Sequence, residues 1–185
     1  FLFKKFISRR LIKNYKNIFA YNFALGEKNE KKNFYYPYFK KNCIHYFCSF
    51  DKKYIENSLK ITFKNKKFKI INKPIIIKKF DSINLNCKPK FIKIDVEGFD
   101  FEVLKGMNKT ITRYKPIILV EFNKNNFFTI KKYLKNYDAW VFFYEYNKFK
   151  LFNKNMVDKE ISRTSKKNLM SIRNIFFIPK THKWT

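Results

Sequence analysis

Residues 90–106, Lys-Phe-Ile-Lys-Ile-Asp-Val-Glu-Gly-Phe-Asp-Phe-Glu-Val-Leu-Lys-Gly, constrain the fold more than any other part of the chain. Phe91, Ile92, Ile94 and Val96 form the apolar run that a strand buried on both faces requires, and Gly98 permits the tight turn after it. Phe101, Val103, Leu104, Met107 and Ile111 then recur at near-helical spacing. Asp100 and Glu102 occupy the first turn, where the helix dipole favours negative charge. A strand, a glycine turn and an acid-led helix, in that order, form the repeating unit of α/β enzymes. Asp95 and Glu97 fall at the carboxyl end of the strand. In open α/β sheets ligands bind in the crevice outside those ends, so two acids there are better placed for a ligand than for a core.

The same reading extended along the chain predicts a helix at 1–15, a strand at 18–24, a long irregular region with short strands at 27–79, and a strand at 91–96. Beyond it come a helix at 100–113, a strand at 117–122, a helix at 126–136 and strands at 140–146 and 174–178. Alternating strands and helices imply an α/β fold with a parallel, doubly wound sheet. Ile130, Tyr133, Leu134 and Tyr137 lie at i, i+3, i+4 and i+7, which places the helix after Glu121 against that sheet. The polar, basic segment 147–173 reads as an excursion between two strands. The chain has 185 residues, of which 45% are hydrophobic, which suits one globular domain over 1–185 with a sizeable core. Aromatic residues make up 21% of it, and disordered segments are poor in them.

The net charge of +28 attracts phosphate and invites a nucleic-acid reading. Only five of the 42 basic residues are Arg, the side chain preferred for bidentate base and phosphate contacts, and the lysines are spread along the whole chain. A solvated lysine surface is therefore the expectation, with nucleic acid not the expected partner. Weak attraction to an anionic membrane surface follows from the same field. No apolar run approaches the ~18 residues of a membrane span, and the first residues are too basic and amphipathic for the core of a signal peptide. Cys43, Cys48 and Cys87 are odd in number and lack C-x-x-C spacing, so reduced thiols in a cytoplasm are expected rather than disulfides or a structural zinc site.

Lys93, Ile94, Asp95, Val96, Glu97, Gly98, Val103, Leu104 and Gly106 resemble the signature K-I-D-V-E-G-x-E-x-x-V-L-x-G around the fourth strand of the FkbM-type S-adenosylmethionine-dependent methyltransferases. Asp100 stands where that family usually has Glu. The resemblance continues through Pro116–Phe122 and ends near Asn174–Pro179. Upstream, Asn22-Phe23-Ala24-Leu25-Gly26-Glu27 is similar to the A-L-G segment at the end of the family's third strand, and Lys73–Ile83 to its strand and turn before the fourth. The resemblance implies a Rossmann-like methyltransferase fold, mostly parallel and doubly wound, with an antiparallel edge pair. The family's glycine-rich turn has no counterpart, since the chain holds three glycines and no G-x-G. The expectation is therefore a domain lacking its first two strands, inactive as it stands.

The implied reaction is O-methylation of a hydroxyl on a sugar, glycan or similar natural product. Ala24, Leu25 and Asp95 are the implied cofactor contacts, with S-adenosylmethionine as the cofactor. A neutral hydroxyl is a poor nucleophile and needs a general base or a metal. Asp95, Glu97 and Glu121 are the candidate catalytic residues, because adjacent parallel strands bring their carboxyl ends to one rim. Paired acids there also suit a divalent cation, and the sequence leaves base and metal ligand open. Glu121 has a second reading, as a strand-terminal acid pairing with Lys124. Tyr35, Tyr36, Tyr38, His45, Tyr46 and Phe47 sit in the long excursion, where an acceptor pocket or ordinary packing would both use them. His45 would be the most natural base by its ordinary pKa, although a lone His in such a loop more often lies on the surface. The alternative from another class is a non-catalytic, lysine-rich module that binds nucleic acid or an anionic surface.

Overall fold

The computed structural model describes residues 17–64, 66–85, 87–96, 98–122, 124–143, 148–152 and 174–182. They group into two compact units. One holds the described residues up to Leu25 with Asn29–Lys78, and the other holds Gly26–Lys28 with the described residues from Lys79 onward. The expected helix at 1–15 and residues 153–173 of the basic excursion lie outside the described residues.

The first unit is built on a ribbon. Strands β1 (Ala24–Leu25), β2 (Glu30–Phe39), β3 (Asn42–Cys43) and β4 (Lys69–Lys78) form a sheet in the order β1-β4-β2-β3. β2 and β4 pair antiparallel from Glu30 opposite Ile77 to Tyr38 opposite Lys69, and β1 joins β4 in parallel. Helix α1 (Lys52–Thr62) starts where the Asp51 carboxylate accepts the Tyr54 N–H, at 3.1 Å, and it buries Ile55 and Leu59, one turn apart. Edge-on ring contacts supply much of the remaining packing, including Phe34 with Tyr36 and Phe50 at 5.1 and 4.8 Å.

This ribbon corrects two expectations: the strand at 18–24 shrinks to Ala24–Leu25, and the region read as irregular carries two ten-residue strands. Pro37 and Pro74 lie within those strands, and proline argues against a strand in a sequence reading. The β2–β3 hairpin turns at Lys40 and Lys41, with Lys40 at φ 55°. Gly or Asn usually fills such a left-handed position, so no turn signal marked it.

The second unit contains β5 (Phe91–Ile94), β6 (Ile117–Glu121), β7 (Tyr137–Phe143), β8 (Lys148–Leu151) and β9 (Asn174–Pro179), in the order β5-β6-β9-β7-β8. β5 and β6 are parallel neighbours as expected, from Phe91 opposite Ile117 to Ile94 opposite Val120. β9 runs antiparallel to both β6 and β7, and β7 pairs antiparallel with β8. Among the described residues the expected antiparallel edge is present, but the expected mostly parallel sheet is not. The described residues fold as mixed α/β, with two mixed sheets that each contain one parallel pair. β5 is also less enclosed than its sequence implied, because it lies at the edge of the described strands: Ile94 is buried, whereas Phe91 and Val96 are 51% and 40% exposed.

The expected helix at 100–113 is two, α2 (Asp100–Gly106) and α3 (Asn108–Tyr114), joined through Met107. Their common face is the anticipated one, with Val103, Leu104, Met107 and Ile111 buried. The break coincides with Gly106, a poor helix former, which the Gly26 backbone approaches so closely that an added Cβ would lie 2.0 Å from the Gly26 carbonyl oxygen. Asp81, in the short 3-10 turn Phe80–Ser82, caps α3 by accepting the Lys109 and Thr110 N–H groups at 2.7 and 3.0 Å and the Thr110 hydroxyl at 2.6 Å. Lys115 takes a left-handed conformation at the other end, and Pro116 prevents continuation. Helix α4 (Lys124–Tyr133) presents Phe127 and Ile130 to the core, with Leu134 and Tyr137 following in the anticipated spacing. Among the described residues no helix is long and apolar enough to cross a membrane.

Candidate functional site

The carboxyl ends of β5 and β6 carry three acids of the second unit. Ile94 and Val120 are register partners, so Asp95 and Glu121 follow them at adjacent strand ends, and both are exposed. Lys93 donates to Asp95 Oδ2 at 2.6 Å, with both side chains half exposed, a pair that solvent weakens. After Asp95 the chain turns through Gly98 at φ 88°, a conformation that side chains rarely adopt. An added Cβ there would meet nothing within 4 Å, so backbone conformation, not space, selects the glycine. Asn126 of α4 donates its amide to the Gly98 carbonyl at 3.3 Å and ties the turn to the next helix.

Asp100, the first residue of α2, lies beneath this turn and is 2% exposed. Its Oδ1 is buried without a hydrogen-bond partner. Burial, with the Glu121 and Asp95 carboxylates nearby, pushes its carboxyl up to about 6, against hydrogen bonds from the Asp100 and Gly98 backbone that pull it down. The rim is thus a cluster of three acids in a chain of strongly positive charge, with one carboxylate oxygen turned away from water and unmatched. Beside Glu121, the side chains of Val120, Phe122, Phe127, Ile130, Ile175 and Phe177 line a shallow crease that leaves no enclosed room even for a water molecule.

A family profile for the methyltransferase FkbM domain matches residues 4–161. The chain belongs to the FkbM methyltransferase family. No curated protein and no solved structure matches it.

Of the residues singled out in the sequence of this FkbM-family chain, Asp95 and Glu121 come to neighbouring strand ends, and Glu97 lies outside the described residues. Ala24 and Leu25 are half-buried in β1, in the first unit. His45 is exposed and shares a cluster with Cys43 and Cys48 rather than with any of these acids. Sequence reasoning missed Asp100, because an acid in a first helical turn reads as a partner of the helix dipole. The signal was its place in the motif, where the family usually carries Glu.

The donor implied by the family carries a positive sulfonium and an ammonium group. A buried, unmatched carboxylate oxygen flanked by two exposed acids suits such a cation better than it suits an anionic or neutral ligand. The exposed carboxylates of Asp95 and Glu121 carry the charge that such a cation requires. Among the described residues these acids do not converge into a group that could hold a metal ion.

Proposed function

We propose that the chain is an S-adenosylmethionine-dependent O-methyltransferase with a Rossmann-like catalytic domain, acting on a hydroxyl of a sugar, glycan or similar natural product. The observation that supports it best is the unmatched Asp100 carboxylate between Asp95 and Glu121 at the carboxyl ends of a parallel strand pair. S-adenosylmethionine supplies a methyl group already activated by its sulfonium. What the protein adds is alignment of the acceptor and removal of its proton. Asp95 and Glu121 reach solvent and can accept the hydroxyl proton as the oxygen–methyl bond forms and the donor's sulfur–methyl bond breaks. With Asp100 titrating near 6, the rim gains a third negative charge as pH rises to neutrality, so its hold on a cation strengthens over that interval. The family resemblance supports Ala24 and Leu25 as further donor contacts.

Without a G-x-G turn, the chain is expected to bind the donor weakly. Each lost hydrogen bond to a charged partner is worth roughly 1.5–3 kcal/mol, and two or three of them amount to about 10³-fold or more in affinity. Saturation-transfer NMR with millimolar S-adenosylmethionine tests the reading. Transfer to the ligand is expected for the chain and is expected to vanish in the Asp95→Asn, Glu121→Gln double variant. Absence of transfer, or transfer indifferent to those substitutions, would sink the proposal.

A further inference from the structure

Within the first unit, Cys43, His45 and Cys48 converge, although their spacing in sequence carries no metal signature. We propose that these three residues form a binding site for Zn²⁺, with the fourth coordination position open to water. Their three ligand atoms lie within 4.8 Å of one another. The two sulfurs are 3.8 Å apart. Two thiolates each about 2.3 Å from one tetrahedral zinc stand ~3.8 Å apart, so the cysteines already span one edge of the coordination tetrahedron. A disulfide would require the sulfurs to close by almost half their separation. His45 is exposed and has room to swing its ring onto the third vertex.

The backbone fixes this arrangement from both sides. Cys43 ends β3, opposite Tyr38 of β2, and the next residue, Ile44, donates its N–H to the Pro37 carbonyl at 2.8 Å. The 3-10 turn His45–Phe47 then reverses the chain, with the Cys48 N–H on the His45 carbonyl at 3.1 Å. Ser49 rejoins β2 through reciprocal bonds with Tyr35 at 2.9 and 3.2 Å. Both ends of the loop are thus held by one strand, as a preorganised site requires. Both sulfurs are half-buried. Two thiolates side by side at the 3.8 Å separation of these sulfurs repel each other and need a cation between them. A soft, doubly charged ion meets that need, and thiolate with imidazole is the donor set that selects zinc. Binding forms two Zn–S bonds and one Zn–N bond, and the two thiol protons pass to solvent without any redox change.

The test uses the full chain, reduced and stripped of metal with a chelator, then titrated with Co²⁺ and with Zn²⁺. One equivalent of Co²⁺ should give thiolate-to-cobalt absorption, Zn²⁺ should abolish it, and about two protons should be released per ion in weak buffer. Cys43→Ser and Cys48→Ser should lose the absorption, and Cys87→Ser should keep it. Because His45 is exposed, His45→Ala should retain its circular dichroism, and it decides the matter if the cysteine variants unfold. Its Zn²⁺ affinity should fall by ~100-fold or more, since removing even a group behind a ligand costs 10–100-fold. A folded chain without thiolate-to-cobalt absorption, absorption that survives Cys43→Ser, or unchanged affinity in His45→Ala would each overturn the site.

Discussion

The two units are stabilised in different ways. In the second, Ile94, Leu104, Ile118, Val120, Phe127, Val141, Ile175 and Phe177 are nearly inaccessible to solvent, and the helices α2 to α4 contribute whole faces to that core. In the first, the buried apolar residues among those described are Pro37, Ile55, Leu59 and Ile77, and the ribbon depends on half-buried rings and on lysines lying over them, such as Lys66 over Phe39 and Phe63. An edge-on ring pair contributes ~0.5–1.5 kcal/mol beyond its burial, and an exposed cation over a ring about 0.5–1 kcal/mol. Full burial of one large aliphatic side chain contributes ~1.5–3 kcal/mol. A unit held by such rings is expected to open locally before one held by a continuous core.

The largest effect that would break this contrast concerns matched leucines. Leu104→Ala, at a site with 0% exposure, should cost about 3–5 kcal/mol and slow-exchanging amides throughout β6 and β9 should lose protection together. Leu59→Ala should cost ~2 kcal/mol or less, with loss of protection confined to α1 and the β2–β4 ribbon. Equal costs, read by urea unfolding with hydrogen exchange, would mean that the two units unfold as one.

A smaller effect sharpens the comparison at the acid rim. Asp100 has its carboxyl raised from 3.8 to about 6, so the fold holds that proton more tightly than the unfolded chain does. The stability carried by neutral Asp100 is full below about 3.8 and is lost as pH rises through about 6. Asp100→Asn cannot ionise. It should match the parent at pH 3.5 and exceed it above pH 6 by roughly 1–3 kcal/mol, following the ~1.4 kcal/mol carried by each pKa unit. A parent whose stability rises through this window relative to the variant would contradict the buried charge.

The smallest effect is at Tyr137, whose hydroxyl is buried without a partner and pushed up to about 12 by burial. Tyr137→Phe should leave stability unchanged or raise it by about 1 kcal/mol, because it removes a desolvated polar group. A loss of stability in thermal unfolding would reveal a partner for that hydroxyl.

The same contrast explains what the sequence revealed. The β5–turn–α2 unit and β6 were legible because apolar periodicity and one glycine encode them locally. The split at Met107 was not, because it arises where another backbone segment presses on Gly106. The β2–β4 ribbon was illegible because its stability comes from cross-strand pairing over long separation, while its own residues include lysines and two prolines. Cys43 and Cys48 looked unrelated for a similar reason: only the hairpin at Lys40 and Lys41 brings the segment back to β2. Asp95 and Glu121 followed from strand ends alone, whereas the burial of Asp100 required knowing what packs over the turn.

The approach of Gly106 to Gly26 has a genetic consequence. The atom that would collide with a new side chain at 106 is a carbonyl oxygen of the main chain, which every amino acid carries. A defect caused by Gly106→Ala therefore has no suppressor in a smaller residue at position 26, since position 26 already bears none. Revertants should be confined to restoration of glycine at 106 or to changes that shift the course of the chain around residues 25–28. This pair of positions should behave in a suppressor screen as one locus with a single permitted state.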